Sequence, residues 1–124
     1  MVSRIYIVDD DQAVRQSLRA LLELYDFRVE DFSSGESFLK SYADDGSACL
    51  VLDMHMPGLT GLDVLQQLRQ VRRSKLPVIL MTGRDGRELR TQADALGASS
   101  YMEKPVDIDR LLAVVGGLSG QPAA

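Results

Sequence analysis

Ala48-Cys49-Leu50-Val51-Leu52-Asp53 is an unbroken apolar run that ends on a carboxylate. A run without alternation is the signature of a strand covered on both faces, the central position of a parallel sheet. An aspartate is costly to place at the end of such a strand unless something compensates its charge. Three other runs end in the same manner. Ile5-Tyr6-Ile7-Val8 leads to Asp9 and Asp10, Val78-Ile79-Leu80-Met81 to Thr82, and Tyr101-Met102-Glu103 to Lys104. In open parallel α/β sheets ligands bind beyond the carboxyl ends of the strands, so residues distant in sequence can meet there. The expectation is a single site in which carboxylates, a hydroxyl and a lysine surround a phosphoryl group.

The segments between these runs read as helices. Val14, Leu18, Leu21, Leu22 and Tyr25 recur at helical spacing, with Arg15, Arg19 and Glu23 on other faces. The aspartates before them can cap the helix. Arg28 to Phe32 reads as a strand, and Ser33 to Glu36 has capping-box spacing before Phe38, Leu39 and Tyr42. Asp44-Asp45-Gly46-Ser47 is a turn cluster. Met56-Pro57-Gly58 predicts a turn, followed by Thr60 as a helix cap and by Leu62, Leu65 and Leu68 directed inward. Arg69, Arg72, Arg73 and Lys75 then read as a solvated basic end that offsets the dipole of that helix. Leu89, Ala93 and Leu96 predict a fourth helix stopped by Gly97, and Asp107 caps a fifth carrying Leu111, Val115 and Leu118. Five strands alternating with five helices predict a parallel sheet.

Bulk properties narrow the function. The chain has 124 residues, 45% of them hydrophobic and 26% charged, which suits one soluble folded domain rather than disorder. A net charge of −4 supplies no general attraction for phosphate backbones, so direct nucleic-acid binding is not expected. The first apolar run is too short for a signal segment or a membrane span, which predicts a cytoplasmic protein with no membrane partner. Cys49 is the sole cysteine and lies within an apolar run, so a buried, inert thiol is expected.

Paired acids followed by a third on the central strand suit Mg²⁺, which takes one or two carboxylates, keeps water and binds substrate phosphate. A divalent cation also offsets the repulsion between clustered carboxylates and an incoming phosphate. Asp10 is expected as a direct ligand, Asp9 as a water-linked one, and Asp53 as both ligand and nucleophile. A carboxylate that attacks phosphorus yields an acyl phosphate. Lys104 supplies a point charge and Thr82 a hydroxyl for the phosphoryl oxygens, while Pro105 raises the chance of a cis bond.

Asp9-Asp10, Asp53 with Met56-Pro57-Gly58 and Gly61, Thr82 and Lys104-Pro105 together resemble the receiver domain of bacterial two-component response regulators. The resemblance covers about residues 4 to 118. It implies a flavodoxin-like, doubly wound five-stranded sheet of order 2-1-3-4-5 with five helices. It also implies phosphoryl transfer from a sensor histidine kinase to Asp53, with Mg²⁺ held by Asp9, Asp10, Asp53 and the His55 carbonyl. Thr82 and Tyr101 would act as the switch that remodels the surface of the fourth helix, fifth strand and fifth helix. His55 and Arg84 occupy positions that in this family tune acyl-phosphate lifetime, and Val106 stands where an aromatic residue is common.

The segment around Val8 to Arg15 and Ser34 to Leu39 is similar to receivers that carry a C-terminal helix-turn-helix. This implies transcriptional output through an effector domain, with residues 119–124 as a tail or the start of a linker and dimerisation as one possible response. A stand-alone receiver in a phosphorelay is the alternative. An aspartate-nucleophile phosphohydrolase would carry an aspartate where His55 stands, and a nucleotide or flavin module would carry G-x-G-x-x-G after the first strand, where Asp9-Asp10-Asp11 lies instead.

Overall fold

The computed structural model describes residues 2–43, 46–83 and 87–119, excluding the side chains of 87–89 and 119. The expectations for Asp44, Asp45, Arg84, the Leu89 side chain and the tail past 119 lie outside the described residues.

Strands β1 (Arg4–Val8), β2 (Arg28–Phe32), β3 (Ala48–Asp53), β4 (Val78–Thr82) and β5 (Ser100–Glu103) alternate with helices α1 (Gln12–Leu24), α2 (Gly35–Ser41), α3 (Gly61–Gln66), α4 (Arg87–Ala95) and α5 (Ile108–Ser119). The sheet is parallel throughout, in the order β2-β1-β3-β4-β5. β3 is central and every one of its residues is buried. Side chains alternate between the two sheet faces, as the pleat requires. Tyr6, Leu50, Leu52, Val78 and Leu80 pack in one core with Phe38, Val64 and Leu65. Ile5, Ile7, Cys49, Val51, Ile79 and Met81 pack in the other with Leu18, Leu22, Leu111 and Val115. Cys49 is fully buried, and that burial pushes its thiol up to about 12, which leaves it inert.

Several local readings need correction. In α1 only Leu18 and Leu22 are buried, while Leu21 and Tyr25 of the same periodic set are exposed, because the helix lies on the sheet along a narrower stripe than the spacing suggested. The cap of α2 is Ser34, whose side chain accepts from the Ser37 N–H. Glu36 takes no part in a capping box; its carboxylate accepts from the Leu59 N–H and so ties α2 to the loop after β3. The true capping box is at α3, where Thr60 and Asp63 bond reciprocally. α3 buries Val64 and Leu65, and Leu62 only in part, while Leu68 is buried just past its end.

The basic end of α3 is solvated at Arg72, Arg73 and Lys75, which are exposed, but not at Arg69. α3 continues into a π-helical segment, Gln67–Val71, which carries Arg69 toward α4. The half-buried Arg69 guanidinium donates to the carbonyls of Leu96 at 2.9 Å, Ser74 at 3.0 Å and Gly97 at 3.1 Å. Arg72 donates to the Leu39 carbonyl in the last turn of α2. The two arginines therefore cap neighbouring helices rather than their own. α4 itself ends in a Schellman arrangement, with Gly97 at φ +75° and the Ala98 N–H on the Ala93 carbonyl.

Replacing Arg69 with methionine is expected to lower stability by about 1–3 kcal/mol, because several carbonyls lose a charged donor. Arg69→Lys should recover only a minority of that loss, since an ammonium cannot span the same acceptors. Urea unfolding midpoints measure both, and a solvated arginine would show neither effect.

Candidate functional site

The parallel register brings the ends of β1, β3, β4 and β5 to one edge of the sheet, and the loops there hold the residues singled out from sequence. Asp9 is completely buried and is held at every polar atom. Its N–H donates to the Phe32 carbonyl, its own carbonyl accepts from Arg15 at 2.7 Å, and Oδ1 accepts from the Asp11 N–H at 2.9 Å. Oδ2 lies 2.7 Å from Lys104 Nζ and has no other polar partner among the described residues. Asp11 caps α1 by accepting from the Ala13 and Val14 N–H groups, so the three consecutive aspartates have separate tasks. Asp10 is exposed and faces the same crevice.

Asp53, 3% exposed, accepts at Oδ1 from the His55 N–H and lies 3.4 Å from Lys104 Nζ through Oδ2. Lys104 thus bridges two buried carboxylates from the end of an edge strand. Its backbone N–H donates to the Thr82 carbonyl at 2.7 Å, and the Lys104–Pro105 bond is cis. Thr82 is buried with Oγ1 3.5 Å from His55 Nε2. Tyr101, paired in register with Leu80, is partly buried against the core with the Arg90 guanidinium 4.8 Å from its ring centre. Val106 packs against the opposite core.

The loop after β3 fits only because residue 61 lacks a side chain. A Cβ on Gly61 would fall 2.5 Å from the Asp53 carbonyl and 2.7 Å from the Met54 Cα, while its N–H donates to the Met54 carbonyl. Gly58, at φ +75°, makes the turn in the same loop.

Carboxylate oxygens of Asp9, Asp10 and Asp53 lie within 4.8 Å of one another. An all-oxygen acidic set, with one buried oxygen met only by an ammonium, has the donor chemistry of a site for a hard divalent cation. The electrostatics agree. Burial, foremost, holds Asp53 above the ordinary carboxylate value; the His55 N–H pulls it down, the Asp9 charge lifts it further and Lys104 opposes the lift. Lys104 loses from burial but gains more from Asp9 and Asp53, so its ammonium is held above the usual lysine value.

Residues 5–116 match the family model of the response regulator receiver domain. The chain belongs to this family. It is 38% identical over 111 residues to the transcriptional regulatory protein FixJ of Bradyrhizobium diazoefficiens, covering 90% of this chain and 54% of FixJ. It is 42% identical over 113 residues to the response regulator MprA of Mycobacterium ulcerans, covering 91% of this chain and 48% of MprA. The chain therefore spans about half the length of the curated relatives it matches. Among solved structures, the crystal structure of FixJ-N superposes with a TM-score of 0.86 at 29% identity, covering 100% of this chain and 98% of that one. The response regulator StyR superposes at 0.84 with 33% identity, covering 91% of this chain and 57% of StyR. The strand order and five helices are those of this receiver fold, whose members are signalling switches rather than classical enzymes. Among the described residues, no helix is long and apolar enough to cross a membrane.

Arg15, which donates to the Asp9 carbonyl, and its partner Asp31 are not legible as such in the sequence. Arg15 reads as a solvent-facing residue of α1 until β2 is known to lie beside β1, which puts Asp31 within 3.2 Å of it.

Because the Asp53 carboxyl is raised, the folded protein binds the extra proton more tightly than the unfolded chain, and ionised Asp53 costs stability once pH passes above the carboxylate range. Metal-free Asp53→Asn is expected to melt higher than the parent at pH 7. The gap should close as pH falls below the ordinary aspartate value, and narrow at pH 7 on adding Mg²⁺. Thermal unfolding across pH tests this; a lower melting temperature for the variant at pH 7 would contradict it.

Proposed function

We propose that the chain is a phosphorylation-activated switch in which Asp53 accepts a phosphoryl group from the phosphohistidine of a sensor kinase. The observation that carries this reading is the bridging of two buried carboxylates, Asp9 and Asp53, by one lysine beside an open acidic crevice. A merely structural ion pair has no need of a third converging aspartate.

The chemistry follows from the residues. An Asp53 carboxylate oxygen attacks phosphorus, an oxygen–phosphorus bond forms, the phosphorus–nitrogen bond of the donor breaks, and the departing imidazole takes a proton. Desolvation favours this nucleophile, since a carboxylate stripped of water is higher in free energy. Asp10 and Asp53, with Asp9 behind them and the His55 carbonyl, would hold Mg²⁺. Bound there, the cation offsets charge on the phosphoryl oxygens. Lys104 then exchanges its contact with Asp53 for a phosphoryl oxygen, and Thr82 donates its hydroxyl to another. New contacts of this kind shift a two-state equilibrium only where they differ between states. Thr82 and the neighbouring Tyr101 supply that difference and transmit it to the α4–β5–α5 surface.

The partial coverage of FixJ and MprA supports a longer parent protein, and the name of FixJ, a transcriptional regulatory protein, supports an output in transcription. In this reading residues 1–118 are the receiver and 119–124 a tail or the start of a linker to a DNA-binding effector, with a phosphorelay receiver as the alternative. Dimerisation through the remodelled surface and a cytoplasmic location belong to the same proposal.

Incubation with acetyl phosphate and Mg²⁺ is expected to add a single phosphoryl group by intact-protein mass spectrometry. Asp53→Asn should abolish the adduct, and Asp10→Ala should slow its formation at least ~10-fold through weakened Mg²⁺ binding. Thr82→Ala should retain the adduct while losing the accompanying change at Tyr101. An equal adduct on Asp53→Asn, or sustained multiple turnover of phosphoesters, would overturn the reading.

A further inference from the structure

The pocket has a support outside it that its own residues do not reveal. Arg15, with a side chain 14% exposed, sends Nη1 to the Asp9 carbonyl at 2.7 Å and Nε to Asp31 Oδ2 at 3.2 Å. Asp31 on β2 in turn receives Arg19 Nη1 on Oδ1 at 2.6 Å. One carboxylate thus fixes two successive turns of α1 against the edge of the sheet. The guanidinium of Arg15 is gripped on one side and grips the Asp9 backbone on the other. The Arg19 guanidinium is held above its usual value, chiefly by its hydrogen bond to Asp31, so this end of the chain of contacts stays charged at any relevant pH.

We infer that Arg15, anchored by Asp31, is a positioning residue that sets the Asp9 carboxylate for cation binding in the crevice. The inference rests on the reading of that crevice as the Mg²⁺ and phosphoryl site. Geometry supports it at each link. Asp9 Oδ2 has only Lys104 as a polar partner among the described residues, so its direction depends on how firmly the residue is held elsewhere. The Phe32 carbonyl and the Asp11 N–H hold two other polar atoms, and Arg15 holds the last. A planar fork is required, because the Asp9 carbonyl just past β1 and the Asp31 carboxylate on β2 must be met by one rigid donor set; lysine offers a single point charge.

The sign of the effect separates positioning from plain electrostatics. Arg15 is a cation beside a cation site. If charge alone mattered, removing it would tighten Mg²⁺ binding. If positioning matters, removing it weakens binding, as loss of a group that orients a metal ligand commonly does by 10-fold or more.

The test is Mg²⁺ titration by isothermal calorimetry of the full chain, below the unfolding temperature of each variant. Arg15→Met and Arg15→Lys are both expected to weaken binding by about 10-fold. Asp31→Asn, which keeps the residue's size and should fold even if the arginine variants do not, is expected to weaken it less. The Arg15→Met/Asp31→Asn double variant should match Arg15→Met, because Asp31 acts through Arg15. Unchanged or tighter binding in Arg15→Met, full recovery in Arg15→Lys, or additive losses in the double variant would each overturn the inference. Normal Mg²⁺ binding and Asp53 labelling of the parent alongside any of these would leave the site reading standing; no Mg²⁺ binding by the parent would overturn both.

Discussion

Lys104 spans two buried carboxylates that would otherwise repel each other, and the rest of the pocket is arranged around that bridge. It reaches Asp9 from the end of β5, although β3 and β4 lie between β5 and β1 in the sheet. The bond from the Lys104 N–H to the Thr82 carbonyl fixes the base of the side chain, and the long aliphatic stem covers the distance. Breaking a buried pair by removing one partner leaves an uncompensated charge, which is far more costly than the pair is stabilising. The lysine is therefore a structural necessity for the two buried acids and, in the proposed reaction, the group best placed to turn to an incoming anion.

The same logic explains why the fold invests so much in Asp9. A carboxylate with no exposure has to be specified by its surroundings, and here two strands, the cap of α1 and a distant arginine all hold it. Asp53 is held more lightly, by the His55 N–H and a longer approach to Lys104. The rigid acid backs the site and the less constrained one faces the crevice, as suits the proposed nucleophile, which would have to accommodate a new substituent.

The sequence made the architecture readable because the apolar runs are unambiguous and each ends on a residue that has no business in a core. Asp53 after Leu52 and Thr82 after Met81 announced strand ends, and β3 at the centre followed from its lack of alternation. What escaped were interactions between elements whose adjacency depends on topology. The exposed Arg73 and Lys75 are solvated as expected, but Arg69 is half-buried and, like the exposed Arg72, reaches a helix end that belongs to another element, α4 for Arg69 and α2 for Arg72. Glu36 looked like a cap because Ser33 has the right spacing, yet Ser34 is the cap and the glutamate serves the loop at Leu59. Arg15 could be paired with Asp31 only once β2 was known to flank β1. Local chemistry was legible; long side chains that reach across the fold were not.

Asp9, Asp10, Asp53 and Lys104 are proposed to converge on one bound anion and its cation. A crystal structure grown with Mg²⁺ and beryllium trifluoride, a phosphoryl mimic, tests it directly. The mimic is expected on an Asp53 oxygen, with Mg²⁺ between Asp10 and Asp53 and with Lys104 Nζ and Thr82 Oγ1 each within hydrogen-bond reach of a fluorine. A mimic bound elsewhere, or a Lys104 that stays away from it, would contradict the account.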